Sequence, residues 1–283
     1  MSHDQLPPEA SDTHMHFYDD FYPRAATTVL QPPNASIDQY RELQGRLGCR
    51  RTVIVQPTTY GLDNQCQLDA AAVLRAGIPP GSADDPVRVI AVVDAQTPDE
   101  EIERLSSHGV RGARFHMLPG GAVGWADLAD VASRIESAGW HIQLQLDGNE
   151  LAEREAELQR LPTPLVIDHV GRFMPPAQDP ARDESFAALQ RLLAGGRTWV
   201  KLSAPYESSV VGPPDYLDVA RMARSLVDDF PERMLWATNW PHPGQSNAPT
   251  EDELLALLNE WVPETGRQRV LIDNPAELYG FGR

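Results

Sequence analysis

Lysine is almost absent from this 283-residue chain: Lys201 is the single one, and every other basic residue is an arginine, a skew that carries no function by itself. Positive charge as a whole is scarce, with 24 Lys+Arg against 41 Asp+Glu and a formal net charge of −17. So acidic a chain has no electrostatic footprint for a phosphate backbone or an anionic lipid surface, which argues against nucleic-acid and membrane partners. The same field repels anionic small molecules, so binding one requires arginines gathered locally in a cleft. The two cysteines, Cys49 and Cys66, form neither a metal-ligand motif nor a disulfide framework. No apolar run approaches the ~20 residues of a membrane span, and Met1 to Ser11 lacks the basic-then-apolar layout of a secretion signal. The expected location is the cytoplasm.

Hydrophobic residues nevertheless make up 41% of the chain, enough for a core. Short apolar or β-branched runs recur along it, at 12–17, 52–57, 87–94, 112–116, 141–147, 165–169, 199–203 and 234–239. Helical patterns alternate with them, at 36–47, 69–76, from Thr97, and at 124–137, 150–161, 184–193, 216–229 and 250–261. Near-continuous apolar strands alternating with helices are what a parallel sheet covered by crossovers requires. Eight such units predict a single-domain α/β fold, the (β/α)₈ or TIM barrel, over 12–283, with 1–11 as a flexible tail. An open doubly wound sheet competes, but it favours a glycine-rich turn after the first strand, where this chain has His14-Met15-His16. The long segments follow strands one, six, seven and eight, on the face where barrels build active sites; the insertion 79–86 falls on the opposite face and reads as a solvated loop.

Polar residues collect at the strand ends: His14, His16, Gln56, Arg114, His116, Gln145, Asp147, His169, Arg172, Lys201, Ser203, Asn239 and His242. Residues two apart on a strand share a side, so His14 projects with His16, Arg114 with His116 and Gln145 with Asp147. His116 reads equally well as a wall residue. Asp168 should face away from His169 and pair structurally. Lys201 would brace Asp147 or Glu207, and His108 and His141 read as surface or core.

The segments Asp-Thr-His-Met-His-Phe (12–17), Ile-Asp-His-Val-Gly (167–171), Trp-Ala-Thr-Asn-Trp-Pro-His (236–242) and Asp-Asn-Pro-Ala-Glu-Leu-Tyr-Gly-Phe (273–281) resemble the amidohydrolase superfamily. Within it they resemble the branch that holds 2-pyrone-4,6-dicarboxylate lactonases and D-galactarolactone isomerases, and the stretches 118–123, 147–149 and 206–209 resemble the isomerases more. The resemblance implies the same barrel. It retains His14, His16 and His169 of the superfamily's metal pattern but has Arg114 or His116 on strand four, Gln145 on strand five and Asn239 on strand eight. A binuclear site cannot be assembled from these; a single zinc on three histidines is chemically open, and the branch implies no metal.

In the lactonases the strand-eight slot holds an aspartate base, whereas Asn239 cannot take up a proton near neutral pH. The resemblance therefore implies a metal-independent lactone isomerase that turns a sugar-acid 1,5-lactone, of the D-galactaro-1,5-lactone kind, into the 1,4-lactone. His14, His16, His169 and Asn239 form its expected catalytic set. Arg114, Gln145, Asp147, Arg172, Tyr206 and His242 would bind the small anionic substrate, the two arginines at its carboxylate. Lactone hydrolysis, a divalent-metal amidohydrolase and a silent sugar-acid-binding barrel are the alternatives.

Overall fold

The computed structural model describes residues 5–282. Its eight strands are β1 (Ser11–Met15), β2 (Arg51–Val55), β3 (Val87–Ala91), β4 (Val110–His116), β5 (His141–Gln145), β6 (Leu165–Ile167), β7 (Thr198–Leu202) and β8 (Met234–Trp236). They pair in chain order, every neighbour parallel. The seam between β8 and β1 is closed largely by the chain just past β8: Met15 bridges Trp240, and the Asn239 and His16 amides donate to the His14 and Trp240 carbonyls, each at 2.9 Å. The architecture is the expected single-domain (β/α)₈ barrel.

Helices α1 (Ile37–Leu47), α2 (Gln65–Arg75), α3 (Asp99–Ser107), α4 (Trp125–Ile135), α5 (Leu151–Leu158), α6 (Glu184–Ala194), α7 (Leu217–Asp229) and α8 (Glu251–Trp261) follow the strands in turn. Local chemistry sets their ends. Ser36 and Gln39 form a reciprocal capping box on α1, Thr250 and Glu253 another on α8. Helix α4 shows why they pack: Leu128, Val131, Ala132 and Ile135 recur at helical spacing and are all buried. No helix among the described residues is long and apolar enough to cross a membrane.

Beyond α8 the chain makes a terminal helical run, α9 (Glu264–Gln268), a π-turn (Arg269–Asp273) and α10 (Asn274–Tyr279). The run plugs the barrel floor. Tyr279 and Phe281 join Val53, Val55, Ile90, Val166, Trp199 and Leu235 in one apolar cluster, and Asn274 donates to the carbonyls of Pro231 and Met234. Arg88, buried, donates from Nε to the Tyr279 carbonyl at 2.9 Å.

Two expectations are corrected. Of the tail expected over 1–11, residues 5–11 lie against the barrel: the Leu6 amide donates to the Leu47 carbonyl, Ala10 is buried and Ser11 opens β1; residues 1–4 lie outside the described residues. The insertion 79–86 is not merely solvated, because Asp85 is buried between Arg75 and Arg88 at 3.0 and 2.9 Å.

Strand β1 is irregular where it matters. Three steps along it, Asp12 to Met15, face two along β2, Thr52 to Ile54, so it carries one extra residue. Asp12 can then reach outward to Tyr40 on α1 while His14, two residues on, turns inward. Gly112 of β4 is required by a neighbour on β5: a Cβ there would come within 2.7–2.9 Å of the His141 ring. Gly112→Ala is expected to destabilise the barrel by about 1–3 kcal/mol, and by less in a His141→Ala background, read from urea midpoints at constant m. Equal midpoints for Gly112→Ala and the parent would show the floor to be loosely packed.

Candidate active site

Above the apolar floor the barrel interior turns polar. Lys201 on β7 stands at its centre with no solvent exposure. Its Nζ donates to Gln143 Oε1 at 2.7 Å and lies 3.3 Å from His14 Nδ1 and 3.5 Å from Asp168 Oδ1. Gln143 Nε2 in turn donates to Asp168 Oδ2 at 3.1 Å. Lys201 thus braces Asp168, rather than Asp147 or Glu207 as the sequence reading has it. Asp168 enters the barrel beside His169 because strand alternation stops at Ile167 and His169 adopts a left-handed φ of 56°.

A chain of imidazoles leads from this centre toward the opening. His14 Nε2 lies 3.2 Å from His16 Nε2, and His16 Nδ1 donates to the Val55 carbonyl at 2.7 Å. A carbonyl only accepts, so His16 carries its hydrogen on Nδ1 and presents a bare Nε2. A hydrogen between the two Nε2 atoms must then come from His14, whose Nδ1 lies 3.3 Å from both Lys201 Nζ and Asp168 Oδ1. Burial is the first cause holding both rings well below the ordinary imidazole value; Lys201 beside His14 and Arg114 beside His16 add to it. Burial likewise pushes Lys201 down to about 8. For Asp168 burial acts upward, but His14 and Lys201 outweigh it and hold the carboxyl well below its usual range.

The opening is a cavity of about 290 Å³ whose lining includes His16, Tyr18, Arg114, His116, Gln145, His169, Arg172, Glu207 and Asn239; its size is at the low end of small-molecule sites, roughly 300–1,000 Å³. Arg114 donates to the Gln56 carbonyl and to Gln145 Oε1, both at 2.7 Å, and its buried Nε has no partner among the described residues. Arg172 donates from Nε to Glu207 Oε2 at 2.9 Å, and Gln145 Nε2 donates to the same oxygen at 2.9 Å. Asn239 Nδ2 donates to the Tyr206 hydroxyl at 2.9 Å, which lies 2.8 Å from His242 Nδ1. His169 Nδ1 faces Ser203 Oγ at 2.9 Å. Burial lowers the His169 ring, partly offset by Glu207, and pushes His116 down to about 3.

Of the residues singled out in the sequence, His16, Arg114, His116, Gln145, His169, Arg172 and Asn239 meet at this cavity. His14 stands behind His16, wholly buried; Tyr206 and His242 stand behind Asn239, supporting its amide rather than lining the space. Asp147 is elsewhere: strand β5 stops at Gln145, and the Asp147 carboxylate accepts from the backbone amides of Asn149 and Met174, capping a loop. Glu207 was missed as a site residue; the only sequence signal was its place just past strand seven. The site backbone is strained, with His169, Val170, Arg172, Asn239 and His242 all at φ between 48° and 61°. Such conformations cost of order 1–3 kcal/mol each and concentrate at functional sites.

One group could be taken for a metal site: ligand atoms of His14, Asp168 and His169 lie within 4.8 Å of one another. Its carboxylate is already held by Lys201 and Gln143.

Comparison with known proteins agrees with the barrel. The sequence profile of the amidohydrolase family matches residues 11–281. D-galactarolactone isomerase of Agrobacterium fabrum is 34% identical over 97% of this chain and 92% of its own length. The 2-pyrone-4,6-dicarboxylate hydrolase of Comamonas testosteroni is 33% identical over 97% and 91%. An apo crystal structure from Agrobacterium tumefaciens superposes with a TM-score of 0.89, at 34% identity, covering 98% of both chains.

Lys201→Met leaves Asp168 buried without its cation and is expected to cost about 3–5 kcal/mol, much of it recovered in Lys201→Met/Asp168→Asn; urea denaturation reads both. A single variant as stable as the parent would mean that the pair is solvated. Titration supplies a second expectation. His14, His16, His141 and His169 are lowered in the folded state, chiefly by burial, so below about pH 6.5 the unfolded chain binds protons the folded one does not. Their stabilisation is complete above that pH and declines beneath it, by up to ~1.4 kcal/mol per pH unit for each. The urea midpoint should fall steeply from pH 6.5 to 5; a flat profile across that window would contradict buried, neutral rings.

Proposed function

Since the chain belongs to the amidohydrolase family, we propose that it is a metal-independent lactone isomerase, converting a sugar-diacid 1,5-lactone of the D-galactaro-1,5-lactone kind to the 1,4-lactone. The observation that carries this reading is Asn239. It lines the cavity from the end of the eighth strand with its amide fixed by Tyr206, and a neutral amide orients a hydroxyl without removing its proton. A reaction that needs no activated water suits such a residue.

The charge of the site supports the substrate class. Within a chain of net charge −17, the site gathers Lys201, Arg114 and Arg172 against only Asp168 and Glu207. A monoanion balances that excess, as a diacid does once one carboxyl is tied up in the lactone. Arg172 holds Glu207 through Nε alone, and its Nη groups have no partner among the described residues, so they offer the paired donors a carboxylate needs.

The same count argues against a divalent cation. His14 and His16 Nε2 are close enough to share one, but both nearby carboxylates already face cations, and a dication would add to an uncompensated positive site. Gln145 and Asn239 are neutral amides, weak ligands at best. The donor set does not fit a catalytic metal, and no step is assigned to one.

In the proposed reaction a ring hydroxyl attacks the lactone carbonyl, a tetrahedral oxyanion forms, and the original ring oxygen leaves. Because the nucleophile is tethered, holding the ring in the attacking conformation supplies much of the acceleration. His16, His169 and Asn239 border the carbonyl and its oxyanion, and the Lys201 charge polarises His16 through His14.

Proton NMR of freshly prepared D-galactaro-1,5-lactone with the protein tests the proposal. The 1,4-lactone should appear at a rate unchanged by a chelator, and Asn239→Asp should begin to release the open diacid. Open diacid formed by the parent protein above the spontaneous rate would replace isomerisation with hydrolysis, and stoichiometric zinc with chelator-sensitive turnover would overturn the metal-free reading.

A further inference from the structure

A reaction in which a hydroxyl becomes an ester oxygen needs a group to take its proton, and Asn239 cannot. The nearby imidazoles are poor candidates. His14 and His16 are paired with each other at 3.2 Å, His169 has Nδ1 on Ser203 at 2.9 Å and turns its Nε2 toward Glu207, and His116 is pushed down to about 3 by burial and Arg114. Asp168 is shut away against Lys201, and Asp147 caps a loop.

One carboxylate remains. Glu207 is the only acidic residue among those lining the cavity. It sits in a one-turn helix, Pro205–Glu207, that Ala204 launches at a left-handed φ of 45°. Its two oxygens differ. Oε2 accepts from Arg172 Nε and Gln145 Nε2, both at 2.9 Å, which fixes the carboxylate plane. Oε1 has only long neighbours, Asn239 Nδ2 at 3.5 Å and His169 Nε2 at 3.8 Å. A carboxylate clamped through one oxygen and nearly free at the other, beside two of the groups that border the reacting carbonyl, is placed for proton transfer.

We infer that Glu207, reaching in from the loop after β7, is the catalytic base that the strand-eight position lacks. The assignment rests on the lactone reading above. The Oε1 lone pair takes the proton of the attacking ring hydroxyl as its oxygen bonds to the carbonyl carbon. When the tetrahedral intermediate collapses, the bond to the original ring oxygen breaks and that oxygen recovers the same proton from the Glu207 carboxylic acid. No proton is gained or lost overall. Where the attacking oxygen belongs to water, Oε1 takes the water proton instead and the product is the open diacid.

The test measures disappearance of the 1,5-lactone, so it reads either outcome. Glu207→Gln keeps an oxygen for Arg172 and Gln145 but cannot hold the proton. It should lower kcat by ~10²–10⁴-fold while binding the 1,4-lactone within a few-fold of the parent by calorimetry. Glu207→Ala should regain turnover when formate is added. Turnover of Glu207→Gln within tenfold of the parent, or product binding lost in step with turnover, would overturn the assignment and leave Glu207 as a positioner of Arg172. Should Glu207→Gln not fold, Glu207→Ala decides alone: formate rescue supports the assignment, and activity within tenfold of the parent without formate overturns it. A parent protein that consumes no lactone at all would instead sink the reaction itself.

Discussion

The Lys201–Asp168 pair at the centre of the barrel is the interaction on which the rest of the site depends. It lies between an apolar floor and a polar cavity, with both side chains out of reach of water. As a source of stability such a pair is weak, because desolvating two charges offsets much of their attraction. Its consequence is positional. Lys201 comes from β7, Asp168 from the end of β6, Gln143 from β5 and His14 from β1, and through His16 the chain reaches the Val55 carbonyl on β2. A shift of any one strand would strand a buried charge or break a hydrogen bond with no water to replace it. The pair therefore sets the register of the wall and holds His14 in place beside it.

Above that level the strands give way to strained turns. His169, Arg172 and Asn239 line the cavity in left-handed conformations, and Val170, β-branched, shares one. Ordinary strands would carry these side chains straight out of the barrel top. The turns fold them back over the opening, and the ion pair and the seam beneath hold them there. Rigid strands below and costly turns above are a reasonable division between what must not move and what must meet the ligand.

The strand count, the helices and most of the cavity wall were legible because they depend on local pattern. Alternating apolar runs mark strands, and His14 with His16 shares a side at a spacing of two. The misreadings have one physical root: alternation holds only while the chain stays extended. Asp147 lies beyond the last residue of β5, and Asp168 and His169 straddle a left-handed turn. Asp12 and His14 face opposite ways because of one extra residue in β1, which no composition reveals. Glu207 owes its place to a single helical turn whose direction is set by packing. The terminal plug was visible as a motif, but its role against the floor depends on contacts from strands far away in the chain.

The arginine-only exterior has a further consequence. Lys201 is the sole lysine and lies in the middle of a wall strand with no exposure. An endoprotease that cleaves only after lysine therefore has one target, and it can be reached only when β7 separates from its neighbours. Fragmentation into two pieces by such an enzyme would report the population of molecules whose barrel has opened, and bound ligand would slow it in proportion to its affinity. The protein thus carries, in its composition alone, an internal gauge of its own opening.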